Sequence, residues 1–313
     1  MSSQARNAKT TYAYLGPAGT FTELALRQVK AAANQEWKPV LSVADALAEV
    51  LSGKAFRAIV PVESSVEGGV SATLDALATT EGLQIYGEYL VPVNFNLVAK
   101  PGVKLSDVKT IAAHPVAYAQ VRKWLGANIK NHKHLQATSN AAAASDLWEN
   151  DKIDAAVSTP NITDHYMVKV IAKNIADTKH AETRFIEVGK KGAIPKRTGQ
   201  DKTSVIVELP SDRPGALLEM LEQFAARGVN LSRIESRPVG DRLGRYRFNV
   251  DAIGHATDEA VAESIQGLYR FSPKLTFLGS YPRADKKASV HEGNNHSESY
   301  VTAKRWWLKA IGK

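Results

Sequence analysis

The sequence has no cysteine among its 313 residues. That excludes disulfides, thiolate catalysis and Cys-ligated zinc. Long hydrophobic runs are missing too; none approaches the roughly 20 residues needed to cross a bilayer. The opening stretch from Met1 to Thr11 is polar and lacks the apolar core of a signal peptide. A cytoplasmic location and no membrane partner are therefore expected. What remains is ordinary for a globular protein, with 44% hydrophobic and 23% charged residues. The length suits two domains, each with its own core. The net charge is +8, but Lys and Arg are dispersed, and no basic run is interleaved with aromatics. That pattern argues against nucleic acid and suits attraction of a small dianion, or a merely solvated surface.

The first ~190 residues alternate strand and helix signals, an α/β pattern. Strands are predicted at Thr11–Leu15, Ala58–Val62, Leu90–Ala99, Thr110–Ala113, Ala155–Ser158 and Arg184–Val188. Helices are predicted at Phe21–Ala33, from Ala72, at Pro115–Leu125 and at Ala141–Trp148. The Gly/Pro/Lys-rich stretch from Gly189 to Lys202 has no periodicity and reads as a linker. Beyond it the order is strand Thr203–Leu209, helix Pro214–Arg227, strands Asn230–Val239 and Arg245–Ile253, helix Asp258–Tyr269, strand Leu275–Tyr281. This is the ferredoxin-like βαββαβ arrangement. The expected division is thus a first domain over 11–189, a linker over 190–202, a second domain over 203–282 and a disordered tail over 283–313. Trp306, Trp307, Leu308 and Ile311 near its end read as a short docking helix or, in preference, a frayed terminus.

Several segments carry chemistry. Gly16-Pro17-Ala18-Gly19-Thr20-Phe21-Thr22-Glu23 follows a strand and opens a helix, and Thr20 and Glu23 have capping-box spacing. It reads either as a tight turn or as a place where an anion meets bare N–H groups at Gly19 and Thr20. Pro61 to Val70 also links strand to helix, with Glu63 at the strand end and Ser64 and Ser65 as compact donors. His114 ends another strand, and Gln120 lies two helical turns on. His132 and His134 lack further ligands at metal spacing. Thr183-Arg184-Phe185 opens a strand. Adjacent strand residues point to opposite faces, so one of Thr183 and Arg184 faces a ligand while the other braces. In the second module, Gly215-Ala216-Leu217-Leu218 starts a helix. Asn230, Leu231, Ser232, Glu235, Ser236, Arg237 and Pro238 form a polar strand. Small residues at a helix start beside such a strand make a cavity fit for an amino acid. The two modules together read as an enzyme for a small anion, wired to an effector site.

These segments resemble the prephenate dehydratase family from about Tyr12 to Tyr281. Gly16–Glu23 resembles its N-terminal glycine segment. Tyr166, Val168, Ile171 and Asp177 stand at the family's spacing ahead of Thr183-Arg184-Phe185. Gly215–Leu218 and Leu231–Pro238 resemble its phenylalanine-sensing ACT domain. Two positions depart: Ser64 stands where the family usually has Asn, and Ala113 where it usually has Ser or Thr. The resemblance implies a two-lobed catalytic domain like a type II periplasmic binding protein, followed by the ACT domain. It implies conversion of prephenate to phenylpyruvate without a cofactor, feedback inhibition by L-phenylalanine, and a homodimer or homotetramer paired through ACT domains. No chorismate mutase segment precedes Tyr12, so the monofunctional form is implied. Arogenate dehydratase, with an amino group in place of the substrate ketone, is the neighbouring alternative. A non-catalytic amino-acid sensor is the alternative of another class.

On that reading Thr183 hydrogen-bonds the departing hydroxyl, and Glu63 or His114 is the proton source. Arg184 or the Gly19–Thr20 turn holds a carboxylate, and Ser64, Ser65, Gln120 and Phe185 complete the substrate contacts.

Overall fold

The structure is a computed structural model, and it describes residues 9–240, 244–289 and 296–312. Contacts group the chain into two compact units. One holds the chain up to Thr73 together with Tyr89–Phe185; the other holds Leu74–Glu88 and the chain from Ile186 onward.

In chain order the first part runs β1 (Thr11–Leu15), α1 (Phe21–Gln28), β2 (Glu36–Val40), α2 (Val43–Ser52), β3 (Arg57–Ser64), β4 (Gly68–Gly69), α3 (Ser71–Thr79), β5 (Leu83–Pro92), β6 (Asn96–Ala99), β7 (Thr110–Ala113), α4 (Pro115–Asn128), β8 (Lys133–Gln136), α5 (Asn140–Glu149), β9 (Ala155–Ser158), β10 (Lys169–Ala172) and β11 (Glu182–Lys190). Two sheets result. The first has the order β2-β1-β3-β11-β5, with β4 paired to β3; the second has the order β10-β6-β9-β7-β8. In each, one strand pairs parallel with both of its neighbours, β1 with β2 and β3, and β7 with β8 and β9. Read from β8, the second sheet repeats the sequence of the first. The chain passes between lobes twice, from β5 to β6 and from β10 to β11. Tyr12, Leu26, Ile59 and Phe185 pack the first lobe. Leu97, Ile111, Val121 and Val157 pack one side of the second sheet, and Ala112, Ala144 and Leu147 the other. Each large aliphatic side chain so buried contributes about 1.5–3 kcal/mol.

Several elements differ from the sequence expectation. The run Leu90–Ala99 is not one strand: it contains the break between β5 and β6. Pro92 has no N–H for a ladder, and the Asn94 carboxamide accepts from the Phe95 N–H at 2.8 Å, turning the chain into the second lobe. The helix expected over Phe21–Ala33 stops at Gln28 and gives way to a 3-10 turn, Lys30–Ala32. Strand β2 and helix α2 carried no prediction, yet α2 is well punctuated. Ser42 Oγ accepts from the Asp45 N–H at 3.1 Å, and Gly53 closes the helix at φ 80°.

The second unit contains β12 (Asp201–Glu208), α6 (Ala216–Ala225), β13 (Leu231–Pro238), β14 (Tyr246–Ile253), α7 (Glu259–Phe271), β15 (Leu275–Pro282) and α8 (Ser297–Ala310). Its antiparallel sheet has the order β13-β14-β12-β15, the ferredoxin-like arrangement. Val205, Val207, Phe224, Val250 and Leu268 form its core with α6 and α7. Lys202, Ser204, Arg247 and Asp251, on the alternate positions of β12 and β14, are also buried. Residues of Leu74–Glu88 partner several of them. The Asp75 carboxylate takes Arg237 at 2.6 Å and Arg247 at 2.7 Å, and Glu88 takes Lys202 at 2.9 Å. The tail expected to be disordered contains α8, because Tyr300 gives it a foothold on the ferredoxin-like core. Residues 290–295 and 313 of that tail lie outside the described residues. Among the described residues, no helix is long and apolar enough to cross a membrane.

Candidate functional site

A cleft of about 410 Å³ lies in the first unit and takes residues from both lobes. Strand β11 enters it with alternating side chains. Thr183 and Phe185 line the cleft, while Arg184 between them is buried elsewhere, as a strand's two-residue period requires. At the end of β3, Ser64 lines the cleft, whereas Glu63 and Ser65 do not. Thr20, His114 and Gln120 also reach it.

Three helices aim their N-termini at this space. Thr20, Phe21 and Thr22 come from the start of α1; His114, Val116 and Ala117 from the start of α4; Ser139 and Asn140 from the start of α5. Each start carries unpaired N–H groups and a partial positive charge equivalent to about half an elementary charge. Among the described lining residues none is Lys or Arg, and Glu67 is the only carboxylate. Phe21 and Phe95 meet edge to face at 5.5 Å and, with Phe185, supply an aromatic wall. The cleft is therefore apolar on one side and anion-seeking at its helix ends.

Four of the sequence-nominated residues sit outside it, each for a visible reason. The Gly19 N–H is spent on the Glu23 carboxylate at 2.6 Å, and the Gly19 carbonyl accepts from the Thr159 hydroxyl. Its φ is +86°, and a β-carbon there would come within 2.7 Å of Ile162 Cδ1, so this glycine permits close approach of the lobes and is not a ligand donor. Ser65 is bonded to Glu182: its N–H donates to the Glu182 carbonyl at 2.9 Å, and its hydroxyl accepts from the Glu182 N–H at 2.9 Å. Arg184 Nε lies 3.1 Å from the Glu63 carboxylate, so Arg184 and Glu63 form an ion pair away from the cleft.

The capping box between Thr20 and Glu23 does not form. Thr20 donates to the Leu15 carbonyl at 3.3 Å, and Glu23 is drawn instead to Arg27 at 2.6 Å and His165 at 2.8 Å. Arg27 also reaches Asp164 at 2.8 Å, so a charged cluster ties α1 to the second lobe. Burial works against ionisation of Glu23, but the Gly19 N–H, Arg27 and His165 outweigh it and hold its carboxyl below the usual range. Burial and the Glu23 charge push the nearby Tyr14 hydroxyl up to about 12.

Sequence reading missed Thr138, Ser139 and Asn140. The available signal was Ser139 just ahead of an Ala-rich helix, since Ser139 caps α5 by accepting from the Ala142 N–H at 2.9 Å. Asn140 Oδ1 is buried on the cleft without a hydrogen-bond partner, a group that a ligand would satisfy. His132 and His134 pack around Tyr118: His134 stacks on its ring at 3.8 Å, and His132 Nε2 lies 2.9 Å from its hydroxyl.

In the second unit Gly215 stands just ahead of α6 at φ 85°, Ala216 is buried, and Leu217 and Leu218 are exposed. Strand β13 is an edge strand. Ser232, Ile234, Ser236 and Pro238 face outward from it, and Asn230 and Leu231 lead into it. Glu235 pairs with Arg233 at 3.1 Å, and Arg237 with Asp75.

The family model for prephenate dehydratase matches residues 12–193, and that for the ACT domain matches residues 203–268. A protein named prephenate dehydratase from Mycolicibacterium vanbaalenii is 42% identical over 306 residues, covering 94% of this chain and 97% of its own. The structure of prephenate dehydratase in complex with L-Phe from Arthrobacter aurescens superposes with a TM-score of 0.93 at 50% identity, covering 97% of this chain and all of that one. A structure described as GqqA, of a novel type of quorum quenching acylases, superposes with a TM-score of 0.79 at 29% identity, covering 87% of this chain and 98% of its own. The chain belongs to the prephenate dehydratase family and carries that family's catalytic region followed by an ACT domain.

Proposed function

We propose that this protein converts prephenate to phenylpyruvate in its interlobe cleft, with Thr183 at the reacting centre and L-phenylalanine as feedback inhibitor. The observation that carries the reading is the convergence of Thr183 with the starts of α1, α4 and α5 on one cleft free of Lys and Arg among its described lining residues. Prephenate is a dianion, and helix N-termini favour anions without a cationic side chain. Its ring becomes aromatic when the carbon–carbon bond to the ring carboxylate breaks, carbon dioxide leaves, and the ring carbon–oxygen bond breaks. One proton is taken up, and water departs with the expelled oxygen. Phe21, Phe95 and Phe185 give the flattening ring an apolar wall. The Thr183 hydroxyl donates to the leaving oxygen as charge develops there; a preorganised donor of this kind is worth about 3 kcal/mol. Threonine is too weak an acid to protonate that oxygen fully, and His114, which lines the cleft, is the nearer candidate for proton supply now that Glu63 is paired with Arg184.

The relative from Arthrobacter aurescens was crystallised with L-Phe. We assign the corresponding site here to the start of α6, Gly215–Leu218, and the outward face of β13 from Asn230 to Pro238. The exposed Leu217, Leu218 and Ile234 and the unpaired edge of β13 suit pairing of ACT domains from two chains. The deciding experiment is phenylpyruvate formation by the purified protein, with and without phenylalanine, alongside its mass in solution. Arogenate run in parallel separates the two dehydratase activities. No turnover of either substrate leaves the sensor reading standing.

A further inference from the structure

Thr183 is held from both sides by one short segment, the end of β3 and the residue that follows it. The residue before it, Glu182, is bonded at two points by Ser65: N–H to carbonyl at 2.9 Å, and hydroxyl from N–H at 2.9 Å. The residue after it, Arg184, is buried on the opposite face of β11 with its Nε 3.1 Å from the Glu63 carboxylate. Glu63 and Ser65 flank Ser64, the member of the segment that does line the cleft.

We propose that Glu63 and Ser65 form a clamp that sets the orientation of Thr183, acting as positioning residues and not as substrate or proton-transfer groups. The inference rests on Thr183 being the donor to the departing hydroxyl. Position 183 is the second residue of β11, where a strand has little ladder to fix it. Ser65 lies just past the end of β3, so the chain there is already turning and offers no regular β-ladder. The Ser65 hydroxyl takes the place of the missing ladder carbonyl, restoring a two-point bridge where the sheet has run out. The Ser64 hydroxyl stiffens the turn that follows, accepting from the Val66 and Glu67 N–H groups at 3.3 and 3.4 Å. The ion pair then fixes the roll of β11 about its axis. Arg184 points away from the cleft, so any rotation that swings the Thr183 hydroxyl must drag a buried guanidinium with it. Hydroxyl placement of this kind is demanding, since about 1 Å of misplacement of a reacting group costs up to about 100-fold in rate.

Steady-state kinetics on prephenate test the clamp, using Ser65→Ala, Ser65→Thr, Glu63→Gln, Thr183→Ala and the double variant Ser65→Ala/Thr183→Ala. Ser65 is solvent-exposed, so its variants should keep the parent unfolding temperature. Ser65→Ala should lower kcat about 10- to 100-fold with KM nearly unchanged. Ser65→Thr, which keeps the oxygen, should recover most of that loss. In the Thr183→Ala background, removing the Ser65 hydroxyl should cost nothing further, because the clamp has nothing left to aim. Glu63→Gln should lower kcat while leaving both limbs of its pH profile in place. Independent, multiplying losses from Ser65→Ala and Thr183→Ala overturn the clamp, as does a Ser65→Ala effect confined to KM. A pH limb lost in Glu63→Gln returns Glu63 to proton transfer and overturns it equally. Near-normal turnover in Thr183→Ala overturns both the clamp and the role given to Thr183, so the two failures are told apart.

Discussion

Lys202 and Glu88 form a buried ion pair, with Nζ 2.9 and 3.1 Å from the two carboxylate oxygens and side chains 9% and 3% exposed. The Ala284 N–H donates to the same carboxylate at 3.0 Å. Glu88 precedes the ACT domain by more than a hundred residues in sequence but belongs to the same compact unit. Lys202→Ala should therefore take the cation away from a buried carboxylate and cost up to about 3–5 kcal/mol. Urea unfolding with a single transition measures it. By the same reasoning a chain cut after Gly192 takes Arg237 and Arg247 from Asp75 and Lys202 from Glu88. The expected result is a lowered unfolding temperature or insolubility.

Thr183→Ala should reduce kcat by about 10²- to 10³-fold while leaving the far-ultraviolet circular dichroism unchanged, the range seen when one preorganised donor to a developing oxyanion is removed. Thr183→Ser, which keeps the hydroxyl but frees its rotamer, should fall between the two.

Glu23 gives a pH dependence with a definite sign. Its carboxyl is held below the ordinary range in the folded state, so it binds its proton less readily there than in the unfolded chain. The stability it contributes is complete above the unfolded carboxylate pKa and fades as pH falls through the depressed folded value. Melting temperature followed downward from neutral pH should drop less steeply in Glu23→Gln than in the parent. Equal slopes would show that the cluster with Arg27 and His165 carries no proton linkage.

Asp75 offers a test of the effector assignment. Its carboxylate is held low first by the Arg237 hydrogen bond, then by Arg247. Arg237 lies in the strand assigned to phenylalanine, and Asp75 is outside the cleft lining. Asp75→Asn should weaken phenylalanine binding in a calorimetric titration and raise the concentration needed for inhibition. By linkage, prephenate must then weaken phenylalanine less than it does in the parent if the coupling itself has dropped.

Much of this was legible in the chain because it is local. The two-residue period of a strand separates Thr183 and Phe185 from Arg184. The βαββαβ order needs nothing beyond hydrophobic periodicity and punctuation. What escaped is long-range. The pairing of Glu23 with His165, of Glu63 with Arg184 and of Ser65 with Glu182 joins residues more than a hundred positions apart. A side chain with an alternative partner abandons its local one, which is why the capping box at Thr20 and Glu23 looked right and did not form. Thr138, Ser139 and Asn140 matter only because the second lobe turns the start of α5 toward the first. Helix α8 meets the ferredoxin-like core through Tyr300, a contact no local pattern announces, while Trp306 and Trp307 stay exposed.

A cleft that gathers anions with helix ends alone grips according to the number of charges its guest carries. Prephenate arrives with two, and phenylpyruvate leaves with one. If that cleft is the substrate site, about half of the electrostatic hold is lost in the chemical step itself, and accumulated phenylpyruvate should compete only feebly for re-entry.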